Sequence, residues 1–200
     1  AMYVHPRPYQ NPHPPVWVLS NTPYSYEQAA KRGFNVIGMS APPGRTLACW
    51  EPYRKALAEK ENRDVALGEN VGVCTQVFIA SSMEEAAETI RPAINTFYEY
   101  MNGARPAGEW QRKAYLEEGQ ELSSADKESD WFDFLLSKGI IWVGTSDYVA
   151  ERLSEAKENT NLEHLQLLQQ FPGVPYEKIR ASMVRFAEDV MPQFAPVPAK

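Results

Sequence analysis

Cysteine is nearly absent from the 200-residue sequence: Cys49 and Cys74 stand in unrelated segments, with neither a CxxC pair nor metal-ligand spacing. That excludes a disulfide framework and a cysteine-based metal site, and both residues read as reduced, structural thiols. Histidine is as sparse. His13 lies in a proline-rich lead and His164 opens a predicted strand, and neither has a Cys or carboxylate at metal spacing. Positive charge is also short, with 20 Lys and Arg against 26 Asp and Glu for a net charge of −6, and no basic cluster offers phosphates a nucleic-acid surface. No apolar run approaches the roughly 18 to 20 residues that span a bilayer, and no charged-then-apolar leader opens the chain. The expectation is therefore a cytoplasmic protein without nucleic-acid or membrane partners. A glycine-rich phosphate loop and a nucleophile with a neighbouring base are missing too.

What is present is a foldable core, at 44% hydrophobic and 12% aromatic residues. Pro6, Pro8, Pro12, Pro14 and Pro15 keep residues 1–15 extended. Val16 to Leu19 then reads as a short buried strand. Thr22 is a good N-cap, Pro23 suits the first helical position, Ser25 with Gln28 offers a capping box, and Gly33 closes the helix. A strand over Phe34 to Met39, a helix over roughly 45–62 and a β-branched strand over Val71 to Ala80 follow. Ser81 and Ser82, with Glu84 and Glu85, cap a helix that reaches about Met101. Residues 102–126 break the rhythm as an irregular excursion with room for short helices. Ser129 to Ser137 reads as helix, Ile140 to Val143 as a short apolar stretch, and a helix spans about 146–158. His164 to Phe171 is the fourth strand, a last helix runs from Pro175 to about Val190, and 192–200 is a loose tail.

Strands alternating with helices predict an α/β fold with a parallel sheet and right-handed crossovers. A complete (β/α)8 barrel takes about 250 residues, so four units make a partial TIM-type barrel, with one half-barrel domain over 16–191. Such a half leaves two strand edges and one sheet face unpaired, which predicts self-association or a compensating packing.

Four stretches carry a resemblance. The first is Pro12 to Val18 followed by Ser20-Asn21-Thr22 and Ser25 to Gly33; the second is Val77 to Ala86; the third is Val143 to Val149; the fourth joins Phe171 to Pro175 with Phe186 to Pro192. In order and spacing they resemble strands five to eight of the luciferase-like flavin-dependent monooxygenases, the C-terminal half of that barrel. The resemblance implies FMN as cofactor, its phosphate held by Asn21, Thr22 and Ser25, with Ser20 and Leu19 bordering the flavin. Asn21 stands where bacterial luciferase has an acidic residue. It further implies oxidation of a small organic substrate by reduced flavin and dioxygen, with a flavin reductase as supplier.

The residues alone favour a plain helix cap by Thr22 and Ser25, while leaving open an anion seat, because hydroxyls beside a helix N-terminus can hold an anion. The same two readings apply to Gly144-Thr145-Ser146. The family's flavin-side histidine belongs to the other half of the barrel, so no catalytic residue is assigned. The expected function is the second half of an FMN-dependent monooxygenase, incomplete alone and partnered by a second copy or a complementary half-barrel. The alternatives are a non-catalytic, self-associating half-barrel or a weak flavin- or anion-binding module. Trp17, Trp50, Trp110, Trp131 and Trp142 read as core or interface residues.

Overall fold

The β-branched run of the third predicted strand becomes the spine of the sheet. In the computed structural model, which describes residues 5–11, 13–102 and 109–195, the chain first alternates β1 (Trp17–Leu19), α1 (Pro23–Arg32), β2 (Asn35–Met39), α2 (Pro43–Glu61), β3 (Val71–Ile79) and α3 (Met83–Asn102). The excursion carries α4 (Glu109–Lys113) and α5 (Ser124–Glu128). After it come α6 (Trp131–Ser137), β4 (Trp142–Gly144), α7 (Ser146–Thr160), β5 (His164–Leu168), α8 (Tyr176–Arg185), a π-helical turn (Phe186–Val190) and α9 (Met191–Phe194). Residues 1–4, Pro12, 103–108 and 196–200, which include parts of the predicted lead, excursion and tail, lie outside the described residues.

Every strand pairing is parallel: β1 with β2, β2 with β3, and β3 with both β4 and β5. Four strands, β1-β2-β3-β5, form the continuous sheet, with β1 and β5 at its edges. The count of four needs one correction. The apolar stretch at Ile140 to Val143 yields a fifth strand, because β3 runs past the end of β2 and offers Val77–Ile79 to Trp142–Gly144. Where β5 ends, Ser182 of α8 replaces a strand, its Oγ accepting the Ile79 N–H at 2.8 Å.

Two further boundaries move. β5 stops at Leu168, and Phe171 instead packs edge-on against Phe78, with ring centroids 6.1 Å apart. The last predicted helix divides at Arg185, and the chain stays helical through Phe194, since Pro192 falls in the first turn of α9, where its missing N–H is harmless.

The registers define two faces. Val18, Val36 and Val71 share a row on the outer face, and Leu19, Ile37, Gly72 and His164 share one on the inner face. Met39, Cys74 and Gln166 form the next inner row, and Gln76 with Leu168 the third. The outer face is covered by α1, α2 and α7, which bury Val36, Val71 and Val73 with Tyr26, Trp50, Tyr53 and Leu57, and Val77 and Ile79 with Val149 and Phe186. A third cluster joins Phe78 and Ala80 to α3 and α6. The Arg112 guanidinium stitches the excursion to it, 4.3 Å from the Trp131 ring centre, while donating to the carbonyls of Asp126 and Ser129. The inner face, by contrast, leaves Trp17, Leu19 and Leu168 exposed.

Candidate anion seat at the end of the first strand

The four residues singled out by sequence lie where β1 passes into α1, at the C-terminal end of the strands. Ser20 still belongs to the sheet through its backbone, its N–H donating to Ile37 O at 3.1 Å. The Asn21 side chain is turned inward to structure: its Oδ1 accepts the Met39 N–H at 2.8 Å, tying the ends of β1 and β2 together. Thr22 is the N-cap, in extended conformation, with its Oγ1 accepting from Ser25 N at 3.3 Å and donating to Ser25 Oγ at 2.8 Å. The capping box of Ser25 with Gln28 does not form, because Thr22 starts the helix one turn earlier and Gln28 faces Arg32. The structure thus brings Thr22 and Ser25 together as a hydroxyl pair, beside the backbone of Ser20 and Asn21.

Electrostatics distinguish this turn. Of the five helices of ten residues or more, α3, α7 and α8 carry an acidic residue in their first turn, while α1 and α2 carry none. The start of α2 receives a carboxylate from elsewhere, Gly44 N donating to Glu117 Oε1 at 2.9 Å. The first turn of α1 itself holds no acidic residue, Glu118 and Arg45 line the cavity beside it, and Asn21, Thr22 and Tyr24 are exposed. An arriving phosphate would meet the dipole end and two hydroxyls without displacing a carboxylate. Gly144-Thr145-Ser146 is different: Thr145 caps α7, Asp147 occupies its first turn, and Ser146 Oγ bonds to Asp189 at 2.7 Å.

Beside the seat a cavity of about 440 Å3 opens between β2, α2 and the excursion, lined by Asn21, Tyr26, Ser40, Arg45, Cys49 and Tyr115 among others. Sequence reasoning missed it, since it forms only when the excursion docks: Arg45 donates to the carbonyls of Leu116 and Lys113. The signal that could have pointed to it is Gly38 inside β2, where a Cβ would collide with the Tyr26 hydroxyl. Burial holds the Tyr26 phenol above its ordinary range, reinforced by the nearby Cys49, and burial also raises the Cys49 thiol. Neither supplies an anion near neutral pH. His13 is exposed and touches Pro14 O, and the His164 ring lies 5.0 Å from that of Trp17. Among the described residues no cluster of His, Cys, Asp or Glu could hold a metal.

Parallel β/α units with helices on the outer face define an α/β fold of the TIM-barrel class, with the hydroxyl-bearing turn at the C-terminal ends of its strands. Comparison with known proteins agrees. Residues 1–164 match the model of the luciferase-like monooxygenases, and the chain belongs to that family. It is 25% identical over 199 residues to the oxygenase component of a flavin-dependent trigonelline monooxygenase from Acinetobacter baylyi, covering 95% of this chain and 51% of that protein. The fold matches the oxygenating constituent of 3,6-diketocamphane monooxygenase from Pseudomonas putida, solved with FMN, with a TM-score of 0.72, 19% identity, and coverage of 94% of this chain and 50% of that one. A monooxygenase from Streptomyces bottropensis gives 0.69 at 24% identity, covering 96% and 51%. The chain spans about half the length of the relatives it matches.

Proposed function

We propose that the chain is the second, phosphate-anchoring half of an FMN-dependent monooxygenase of this family. The observation that carries the reading is the α1 start, a turn inside the family-matched residues whose paired hydroxyls sit at a helix N-terminus with no acidic residue in its own first turn. Thr22 and Ser25 would hold the phosphate by their hydroxyls and the α1 dipole. Asn21, engaged with Met39, would act as the brace that fixes the turn. The reduced flavin, supplied by a separate reductase, brings the reactivity towards dioxygen and a small organic substrate. This chain binds and orients it and excludes water from one side. No side chain of the seat is assigned a proton-transfer role, and the chain completes its pocket only when the barrel is completed.

The test is fluorescence titration with FMN and with riboflavin, on the parent chain and on Thr22→Ala/Ser25→Ala. FMN binding is expected to weaken about tenfold in the double variant, equivalent to about 1.4 kcal/mol, with riboflavin binding nearly unchanged. Equal losses for both flavins would overturn the phosphate assignment. Binding of neither by the parent chain would favour the non-catalytic half-barrel.

A further inference from the structure

Beyond the flavin reading, we infer that the cavity between β2, α2 and the excursion is a second binding site, for a neutral, compact ring compound that carries a carbonyl group. Its volume of about 440 Å3 falls within the roughly 300–1,000 Å3 common for small-molecule sites. The walls belong to this chain's own helix layer: Tyr26 stands on α1, Gly38 and Ser40 at the end of β2, Cys49 on α2 and Tyr115 in the excursion. Gly38 faces the same side of β2 as the buried Val36, the side covered by α1 and α2, and it has no Cβ to push back the Tyr26 hydroxyl. Thr22 and Ser25 do not line the cavity, so it is distinct from the anion seat and meets it at Asn21.

The buried polar groups on the wall set the ligand chemistry. Tyr26 is 2% exposed, Ser40 8% and Cys49 9%, and all three line the cavity. Polar groups buried so deeply ordinarily have a protein partner. The Trp50 indole N–H is directed at the Tyr26 oxygen. Among the described residues, however, no acceptor takes the phenolic proton, the Ser40 hydroxyl proton or the Cys49 thiol proton. Burial raises both the Tyr26 phenol and the Cys49 thiol, so each keeps its proton near neutral pH. The cavity therefore offers donors and suits an acceptor. Its charged side chains, Arg45 and Glu118, are one of each sign, and Arg45 already donates to the Leu116 and Lys113 carbonyls. That balance favours a neutral acceptor over a carboxylate. A carbonyl oxygen fits, with two lone pairs for the two hydroxyls. Trp50, Met39 and Val73 complete the lining with flat and apolar surface suited to a ring.

The probes are 2-acetylnaphthalene and 2-ethylnaphthalene, which share a ring system and differ in the acceptor. Both are titrated by calorimetry, without flavin, against the parent chain and Tyr26→Phe/Ser40→Ala. The parent is expected to bind the ketone, and the double variant to bind it about tenfold more weakly while its affinity for the hydrocarbon does not fall. A second readout uses the parent alone: saturating ketone is expected to slow alkylation of Cys49 by N-ethylmaleimide, followed by mass spectrometry, with Cys74, which does not line the cavity, as the internal reference. No binding of the ketone up to its solubility limit would overturn the proposal. So would equal losses for both probes in the double variant, or a bound ketone that leaves the alkylation of Cys49 unchanged. Thr22→Ala/Ser25→Ala should bind the ketone as the parent does, and Tyr26→Phe/Ser40→Ala should bind FMN as the parent does, so failure at one site is read apart from failure at the other.

Discussion

The two faces of the sheet come from the same strands and have opposite fates. On the outer face valines lie under Trp50, Tyr53 and Leu57, and almost no apolar area reaches water. On the inner face the side chains between those valines include Leu19, Ile37, Met39 and Leu168, equally apolar yet partly or largely exposed. The difference teaches that the β/α crossovers are locally complete, since each helix covers the strands it joins. The barrel interior can be filled only by strands from beyond the four-stranded sheet. Folding of the helical layer and completion of the site are therefore separate problems for this chain.

The largest expected effect breaks the comparison from the finished side. Trp50→Ala should cost about 3–5 kcal/mol in urea unfolding, the range for emptying a buried aromatic site. Leu19→Ala, measured on dilute monomer, should stay within about 0.5 kcal/mol. Similar losses at the two positions would mean that the faces do not differ. Next comes the seam where β5 ends. Ser182→Ala leaves the buried Ile79 N–H without its acceptor and should cost about 1–3 kcal/mol, with the amide of Ile79 exchanging faster with solvent.

Asn21→Ala sharpens the contrast at the site itself. Losing the bond to Met39 N should cost about 0.5–1.5 kcal/mol and weaken FMN and riboflavin alike, unlike the Thr22/Ser25 change. The smallest effect is a pH dependence in the excursion, remote from both faces. The Lys138 ammonium, helped by Ser123, holds the Asp126 carboxyl below its usual range. A depressed folded-state pKa stabilises the fold above the unfolded value of about 3.9, and that contribution fades as pH falls through the folded value. Thermal melts below about pH 4 should therefore lose stability more steeply in the parent than in Lys138→Met.

Much of this was legible in the sequence for local reasons. Thr22, Pro23 and Gly33 mark the limits of α1 by their own conformational preferences, with Gly33 at a φ of 76°. The β-branched alternation marks β3 in the same way. What escaped depends on distant partners. β4 is three residues long and exists because β3 outruns β2. The bracing of Asn21 needs Met39, eighteen positions away. Arg112 looks like any surface arginine until Trp131 and Phe134 close over it. Trp50, Trp131 and Trp142 are buried, while Trp17 stays exposed on the unfinished face. The family resemblance supplied the order of the units, and the registers showed which face they leave open.

The central proposal is that the turn of Ser20, Asn21, Thr22 and Ser25 seats the phosphate of a flavin. The most direct measurement is the affinity of the parent chain for FMN set beside its affinity for riboflavin. FMN should bind the more tightly, because only it carries the phosphate. Equal affinities for the two flavins, or no binding of FMN at all, would contradict the account.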